Sequence, residues 1–415
     1  MKFERYHIAQ EIKRNLDGMG FKKPTDIQYK SIPSIMNGED VLAIAQTGTG
    51  KTAAFAIPII NRIHKHKTSK RVYGITCIVM VPTRELAMQI GEVFATLAKH
   101  TRVKVYALHG GVEQDPQIKK LQDGLDILIT TPGRMFDLIH QKYIDLKRIR
   151  TLVIDEADRM LDLGFIEDIT FIKKMLPRRH QTLFFSATIN QEIKKLAYSQ
   201  VKSSAVRIQI SPEDPVSKNV THYVMFVEMD DKRFFLKEFV GENPDSKIIV
   251  FVRTRVRAER VARAMGHFEI STMTIHGEKN QDDRFEVMKQ FKEGTCNILI
   301  ATDVSARGID IPDVHYVVNY DLPDIPENYV HRVGRTGRGF NKGSAISFCS
   351  EGEKGLLADI QQLLKKDIKV LHINKEEYTE TISTLGDEDK LKALMDDHEA
   401  WLKKKRKKKK RKRGN

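Results

Sequence analysis

The sequence predicts an α/β protein with two mostly parallel sheets, and three observations carry this prediction. Short apolar runs rich in Val, Ile and Leu alternate with helical-looking stretches in both halves of the 415-residue chain. A Gly-rich segment follows one such run and leads into a helix-like stretch. A segment rich in Pro, Ser and charge, residues 211–218, has the composition of a linker. We therefore predict domains at residues 1–207 and 219–370, a linker at 208–218 and a charged extension at 371–415.

A phosphate-binding loop is predicted where the apolar run 41–44 meets this Gly-rich segment. Its residues are Ala45, Gln46, Thr47, Gly48, Thr49, Gly50, Lys51 and Thr52. The two glycines allow backbone amides to curl around a polyphosphate, Lys51 supplies a charge for the outer phosphates, and the Thr52 hydroxyl is a ligand for Mg²⁺. Ala45 departs from the general pattern, which has Gly there. The alternative is a purely structural strand-to-helix turn.

Two adjacent carboxylates, Asp155 and Glu156, follow the apolar run 151–154. The carboxyl end of a buried strand is where open α/β sheets present residues that contact ligands. Asp155 is expected to hold Mg²⁺ through its water shell, and Glu156 to act as the base or water-orienting group for attack on a γ-phosphate. Taken alone, an Asp-Glu pair after a strand is more often a turn former or a helix cap.

Together these motifs resemble the DEAD-box family of superfamily 2 RNA helicases, of bacterial type. The similarity runs from about residue 3 to about residue 350, with the motifs in family order, and includes the sequence Asp-Glu-Ala-Asp at 155–158. It implies two tandem RecA-like domains and an RNA-stimulated ATPase that uses ATP and Mg²⁺. In the family, ATP and single-stranded RNA bind across a cleft whose closure separates RNA strands locally.

The segment 20–28 resembles the family's adenine-selecting Q motif, with Phe3 at its upstream aromatic position. The amide of Gln28 offers one acceptor and two donors to an adenine edge, while Phe21 or Phe3 can supply a stacking or packing surface. An isolated Gln is usually a solvated surface residue, and a lone Phe usually belongs to the core.

Several further segments match family elements that face RNA. The arginines suit phosphate oxygens, the hydroxyls can donate to the backbone, and the glycines let main-chain amides approach closely. None of them reads a base edge, so binding independent of sequence is expected. Each segment alone is equally an ordinary turn or helix cap. The RNA-binding candidates are Arg84, Gly110, Gly111, Thr131, Gly133, Arg134, Arg253, Gln281, Arg284 and Thr302.

The resemblance also implies residues that link the ATP site to RNA, and others that act on the transferring phosphate. Arg335 and Arg338 match arginine fingers and Asp310 a nucleotide contact. Because Arg332, Arg335 and Arg338 are spaced three apart, a helical turn would bring them near one face, although the interleaved glycines favour a tight turn. A solvated basic surface is the alternative. The coupling candidates are Asp158, Ser186, Thr188, Asp303, Arg307, His331 and Arg332.

The basic character of the chain comes mainly from its end. The formal net charge is +15, and residues 403–413 are an uninterrupted run of Lys and Arg. Such a run self-repels, so we expect a disordered arm that tethers RNA through counterion release and reaches ribonucleoprotein complexes. Nuclear localisation and binding to acidic membranes are the alternatives. At most one helix is expected before it, around residues 387–402.

Composition excludes other classes. Three dispersed cysteines predict reduced thiols and no zinc site. The polar start is no signal peptide, and no apolar run approaches a membrane span of roughly 20 residues. We expect a soluble, cytoplasmic monomer. Two functional alternatives remain: an ATP-gated RNA clamp that unwinds little, and a DNA-directed translocase.

Overall fold

The computed structural model describes residues 2–46, 48–67, 74–210, 216, 219–303, 314–337, 342–374, 376 and 378–383, apart from the side chain of Gln281. The chain divides into two units, and the division falls within the predicted linker.

The first unit is built on a parallel sheet of seven strands in the order β3-β4-β2-β5-β6-β1-β7. The strands β5, β6 and β1 are therefore direct neighbours, so the segments that follow them lie side by side. The strands are β1 (Val41–Ala45), β2 (Cys77–Met80), β3 (Val105–Leu108), β4 (Ile127–Thr130), β5 (Thr151–Ile154), β6 (Gln181–Ser186) and β7 (Val206–Ile210).

Helices follow the strands and cover both faces of this sheet. On β1, Val41 and Ala43 belong to one buried cluster, whereas Leu42 and Ile44 belong to another. This alternation explains why the strand is apolar throughout. The helices are α1 (Gln10–Gly18), α2 (Asp26–Met36), α3 (Lys51–His66), α4 (Arg84–Ala98), α5 (Asp115–Gln122), α6 (Pro132–His140), α7 (Ala157–Asp162), α8 (Ile166–Met175) and α9 (Gln191–Gln200).

The second unit repeats this topology. Its parallel strands are ordered β10-β11-β9-β12-β13-β8-β14, which is the order of the first sheet with each number raised by seven. The predicted repetition of the architecture is confirmed. The strands are β8 (Val220–Phe226), β9 (Ile248–Val252), β10 (Met273–Ile275), β11 (Ile298–Thr302), β12 (Tyr316–Asn319), β13 (Gly343–Cys349) and β14 (Lys369–Val370).

The helices described in this unit again alternate with its strands. They are α10 (Lys232–Glu242), α11 (Arg255–His267), α12 (Gln281–Glu293), α13 (Pro326–Val333) and α14 (Lys354–Leu364). Within the described ranges, no helix has the length and apolar character needed to cross a membrane.

Packing of the second unit continues beyond residue 370, the boundary that the sequence predicts. The Tyr378 ring lies 5.0 Å from that of Phe235, centroid to centroid. Its hydroxyl donates to Asp231 Oδ2 at 2.9 Å and accepts from the Glu228 amide at 3.0 Å. The first part of the charged extension is thus anchored on α10. The helix predicted around 387–402 and the basic run lie outside the described residues.

Candidate active site

The Gly-rich loop connects the end of β1 to the start of α3, as the sequence predicted. Gly48 and Gly50 have φ of +80° and +93°, a region that L side chains rarely adopt. A Cβ on Gly50 would also lie 2.5 Å from Gln28 Nε2. Glycine is therefore required at position 50 both by the backbone angle and by space.

Lys51 begins α3 and folds back across the loop. Its side chain is buried, and Nζ donates to the Ala45 carbonyl at 2.8 Å. An ammonium carries three donors, so this single bond fixes the charge over the loop and leaves donors for a phosphate. Thr52 is the second residue of α3. The helix N-terminus adds its amides and partial positive charge.

Gln28 lies under the loop and is fully buried. Its Nε2 donates to the Gly50 carbonyl at 3.1 Å, and its Oε1 accepts from the Thr25 amide at 3.0 Å within a capping box that starts α2. The amide thus links the loop to the start of α2, and the adenine contact stays a prediction. Phe3 is in the core and Phe21 packs partly buried against the same cluster, which favours the packing role over stacking.

Asp155 and Glu156 follow β5, two strands away from the loop. Asp155 is 3% exposed and accepts from the Glu156 amide at 3.0 Å. Burial raises the pKa of Asp155, while the positive charge of Lys51 and that hydrogen bond oppose the rise. A divalent cation would likewise favour the charged carboxylate. The Asp155 carboxylate and the Thr52 hydroxyl are the hard oxygen donors that Mg²⁺ prefers.

Glu156 has an unusual backbone. Its φ of +49° and ψ of +50° are left-handed, at the N-cap of α7. For a residue other than Gly this costs on the order of 1–3 kcal/mol, and such strain concentrates at functional sites. The turn sends the chain from β5 into α7 with the two carboxylates at its corner.

Asp158 connects the acidic segment to the segment after β6. Its Oδ2 accepts from the Ala187 amide at 3.2 Å and from both the amide and the hydroxyl of Thr188 at 3.1 Å. Ser186 Oγ in turn donates to the Thr188 carbonyl at 2.9 Å. The predicted coupling residues of the first unit are thus in direct contact.

In the second unit, Arg332 forms a two-point pair with Asp303. The distances are 2.7 Å from Nε to Oδ1 and 2.7 Å from Nη2 to Oδ2. Nη1 also donates to the Asp321 carbonyl at 2.6 Å. Arg332 is 1% exposed, so its guanidinium is an internal tie between the two predicted coupling segments.

The helix carrying Arg332, α13, ends at Val333. Arg335 lies in the turn beyond it, and its Nε donates to the His331 carbonyl at 3.3 Å. The three-residue spacing therefore does not continue as a helix, and the glycine-based prediction of a tight turn is the better one.

Comparison with known proteins agrees with this arrangement. Residues 25–196 match the family model of the DEAD/DEAH box helicase, and residues 231–340 match that of the helicase conserved C-terminal domain. The chain is 38% identical over 364 residues to the DEAD-box ATP-dependent RNA helicase CshA of Bacillus cereus, covering 88% of this chain and 68% of that protein. It is 40% identical to the ATP-dependent RNA helicase RhlB of Shewanella oneidensis, covering 90% and 86%. The chain belongs to the DEAD-box RNA helicase family.

The structural comparison reaches the same family. A structure of Dbp5 from S. cerevisiae bound to RNA and ADP BeF3 has a TM-score of 0.82 to this DEAD-box helicase, at 30% identity over 93% of this chain and 99% of that one. The expectation of two tandem RecA-like domains is confirmed.

Two predicted RNA-facing arginines of this DEAD-box helicase have different surroundings. The Arg84 guanidinium lies against Gly110 and Gly111, and a Cβ at Gly111 would collide with it. Arg134, in contrast, donates hydrogen bonds within the protein. Its Nη1 donates to Gln117 Oε1 at 2.7 Å, and its Nη2 donates to the Val112 carbonyl at 3.0 Å. In this structure Arg134 braces the loop after the glycine pair. Thr131 is the N-cap of α6, and Gly133 lies in its first turn.

Arg253, after β9, is similarly engaged. Its Nη2 donates to Glu353 Oε1 at 3.1 Å and to the Leu322 carbonyl at 3.2 Å, while Nε lies 3.2 Å from Asp324 Oδ1. The side chain is still 37% exposed. Sequence reasoning missed Glu353, although Ser350 and Glu353 form a capping box whose Ser-x-x-Glu spacing is visible in the sequence.

The remaining predicted residues divide into two groups. Thr302 ends β11 and is buried, and Arg284 lies in the first turn of α12, which Gln281 begins. The others lie outside the described residues and stay predictions: Thr47, Arg307, Asp310 and Arg338.

Proposed function

We propose that this DEAD-box protein couples ATP binding and hydrolysis to the local separation or remodelling of RNA duplexes without reading their sequence. The observation that carries the proposal is the meeting of three segments at one edge of the first sheet. The phosphate loop follows β1, Ser186 ends β6 with Thr188 two residues beyond it, and Asp155 and Glu156 follow β5. In the sheet, β6 lies between β5 and β1.

The chemistry follows from these groups. Lys51 and the loop amides would hold the phosphates, and Asp155 and Thr52 would hold Mg²⁺, which would supply charge neutralisation. Glu156 orients the attacking water and accepts its proton. Arg335 and Arg338 stabilise charge on the transferring phosphate, as the family resemblance implies.

Coupling to RNA rests on the hydrogen bonds of Asp158. Because one carboxylate oxygen takes three donors from Ala187 and Thr188, a shift of the acidic segment on hydrolysis is passed directly to the segment after β6. The relatives named as ATP-dependent RNA helicases, and the Dbp5 structure that contains RNA, support RNA as the partner.

The deciding experiment measures ATPase activity and strand separation together. We expect RNA of unrelated sequences to stimulate ATP hydrolysis equally and DNA to stimulate it little. A fluorophore-labelled RNA duplex of about one helical turn should separate with ATP but not with ADP. ATP-dependent retention of RNA without strand separation would instead identify a clamp.

We further propose a cytoplasmic location and action as a monomer. Cys77, Cys296 and Cys349 are all free and buried, which suits a reducing compartment. The run 403–413 is proposed to contact RNA and ribonucleoprotein complexes near the site of unwinding.

A further inference from the structure

A second concave site lies in the first unit at the edge of the sheet opposite the phosphate loop. It is a cavity of about 810 Å³, formed where the chain enters β2, β4 and β5 and where α3 ends. Since the strands are parallel, the length of a strand, on the order of 15 Å, separates it from the ATP-binding edge. Its volume is within the roughly 300–1,000 Å³ typical of small-molecule sites.

The charged residues that line this cavity are mostly positive. One carboxylate, that of Asp126, is found among the described residues that line the cavity, and it already accepts hydrogen bonds from the protein. Asp126 Oδ2 accepts from Lys67 Nζ and from the Lys104 amide, both at 2.7 Å. Six cationic residues line the cavity: Arg62, Lys67, Lys147, Arg148, Arg150 and Arg179.

Arg62 is the half-buried cation of this group. It donates to Gln181 Oε1 at 2.9 Å and to the Thr151 hydroxyl, both neutral acceptors. Within the described part of the chain no carboxylate contacts it. Burial lowers the pKa of the Arg62 guanidinium, the Cys77 thiol opposes this, and the charge of Arg150 lowers it further. A desolvated cation beside a second cation is unfavourable unless an anion joins them.

The lining also narrows the class of anion. No Phe, Tyr or Trp is present among the described residues of the cavity, so these residues offer no surface on which a nucleobase could stack. Sites for single-stranded RNA combine cations with such surfaces. Exposed cations around a half-buried guanidinium instead match a compact, highly charged group without a base.

We propose that this cavity, lined by Arg62, Arg150 and Arg179, is a binding site for a small polyphosphate anion, separate from the ATP site. The proposal does not depend on helicase activity, because it uses none of the residues of the nucleotide or RNA sites.

The test is hydrogen–deuterium exchange of the full chain with sodium tripolyphosphate at constant ionic strength. Exchange should slow in peptides covering residues 145–151 and 177–181, where the Arg150 and Thr151 amides already bond to the Thr76 carbonyl. Binding at the phosphate loop or the basic run is read in other peptides and does not interfere.

The variant Arg150→Glu should raise the half-saturating concentration roughly tenfold, since it replaces an attraction by a repulsion. It leaves the Arg62 hydrogen bonds in place. Lys195→Glu, on the exposed face of α9, makes the same charge change away from the cavity and should behave as the wild type.

A single-stranded RNA arm completes the test, and RNA should leave these peptides unchanged. Protection by RNA but not by tripolyphosphate would make the cavity a nucleic-acid contact and overturn the proposal. Equal protection of the wild type and Arg150→Glu, or no protection at all, would overturn it in favour of a solvated basic face.

Discussion

The two units share one strand order but use the carboxyl edge of their sheets in opposite ways. In the first unit this edge has a glycine loop, an ammonium anchored by a single backbone bond, and a buried carboxylate, Asp155. In the second unit the described residues of the corresponding edge include charges that neutralise one another: Arg332 pairs with Asp303, and Lys232 pairs with Glu353. The same topology thus supports a site that needs a ligand in one copy and internal ion pairs in the other.

The comparison predicts that mutations at the first edge affect chemistry more than stability. Glu156→Gln should lower the turnover number about 10²–10⁴-fold, the range for loss of a general base, and leave ATP affinity and thermal stability nearly unchanged. Steady-state ATPase assays with saturating RNA measure the turnover number, and binding of a fluorescent nucleotide measures the ATP affinity.

Glu167→Gln is the matched control, because Glu167 is exposed on α8 and should retain full activity. An unchanged turnover number for Glu156→Gln would remove its assigned role.

At the carboxyl edge of the second sheet, we expect mutations to affect stability more than chemistry. Arg332→Gln removes the two-point contact with Asp303 in a buried setting, so we expect a loss of about 3–5 kcal/mol in unfolding free energy. Denaturant unfolding measures this, with Arg260→Gln on the exposed side of α11 as control. A variant as stable as the wild type but inactive would show that Arg332 acts in coupling alone.

Glu353 gives a pH-dependent test of the same network. Burial alone would raise the pKa of the Glu353 carboxyl, but Lys232 and two hydrogen bonds from Ser350 lower it below 4.5. Burial lowers the pKa of Lys232 and the pairing opposes this. We take the carboxylate as the dominant group because Arg253 and the Leu322 amide also donate to it.

A carboxyl with a lowered pKa adds stability above its unfolded pKa and loses it as the pH falls through the folded value. The wild type should therefore lose stability as the pH falls below about 4.5. This component of the pH profile should be absent in Glu353→Gln and retained in Glu351→Gln, whose side chain is 74% exposed. Identical profiles for all three proteins would contradict the prediction.

The smallest expected effect concerns the basic run, residues 403–413. Replacing residues 403–413 by a Gly/Ser segment of equal length should weaken RNA binding and flatten its dependence on salt concentration. The ATPase rate at saturating RNA should stay the same. Fluorescence anisotropy at several salt concentrations tests this, and an unchanged slope would eliminate the tethering role.

The sequence predicted the fold class, the repeated architecture and the phosphate loop because each depends on residues that are close in the chain. Apolar runs, glycines and the acidic segment act locally. The environments of Arg134 and Arg253 were not predicted, since they depend on which distant segments become neighbours. Arg253 meets Glu353, one hundred positions later, only because β12 lies beside β9 and β13 lies beside β12.

Position 50 has a consequence for how this sequence can change over generations. A Cβ there would meet the Gln28 amide at 2.5 Å, and the Gln28 side chain also caps α2. A shorter residue 28 would remove the collision with a side chain at position 50 but would also give up that cap, and the left-handed backbone at position 50 would still favour glycine. Substitutions at the two positions, 22 residues apart, are therefore expected to depend on each other.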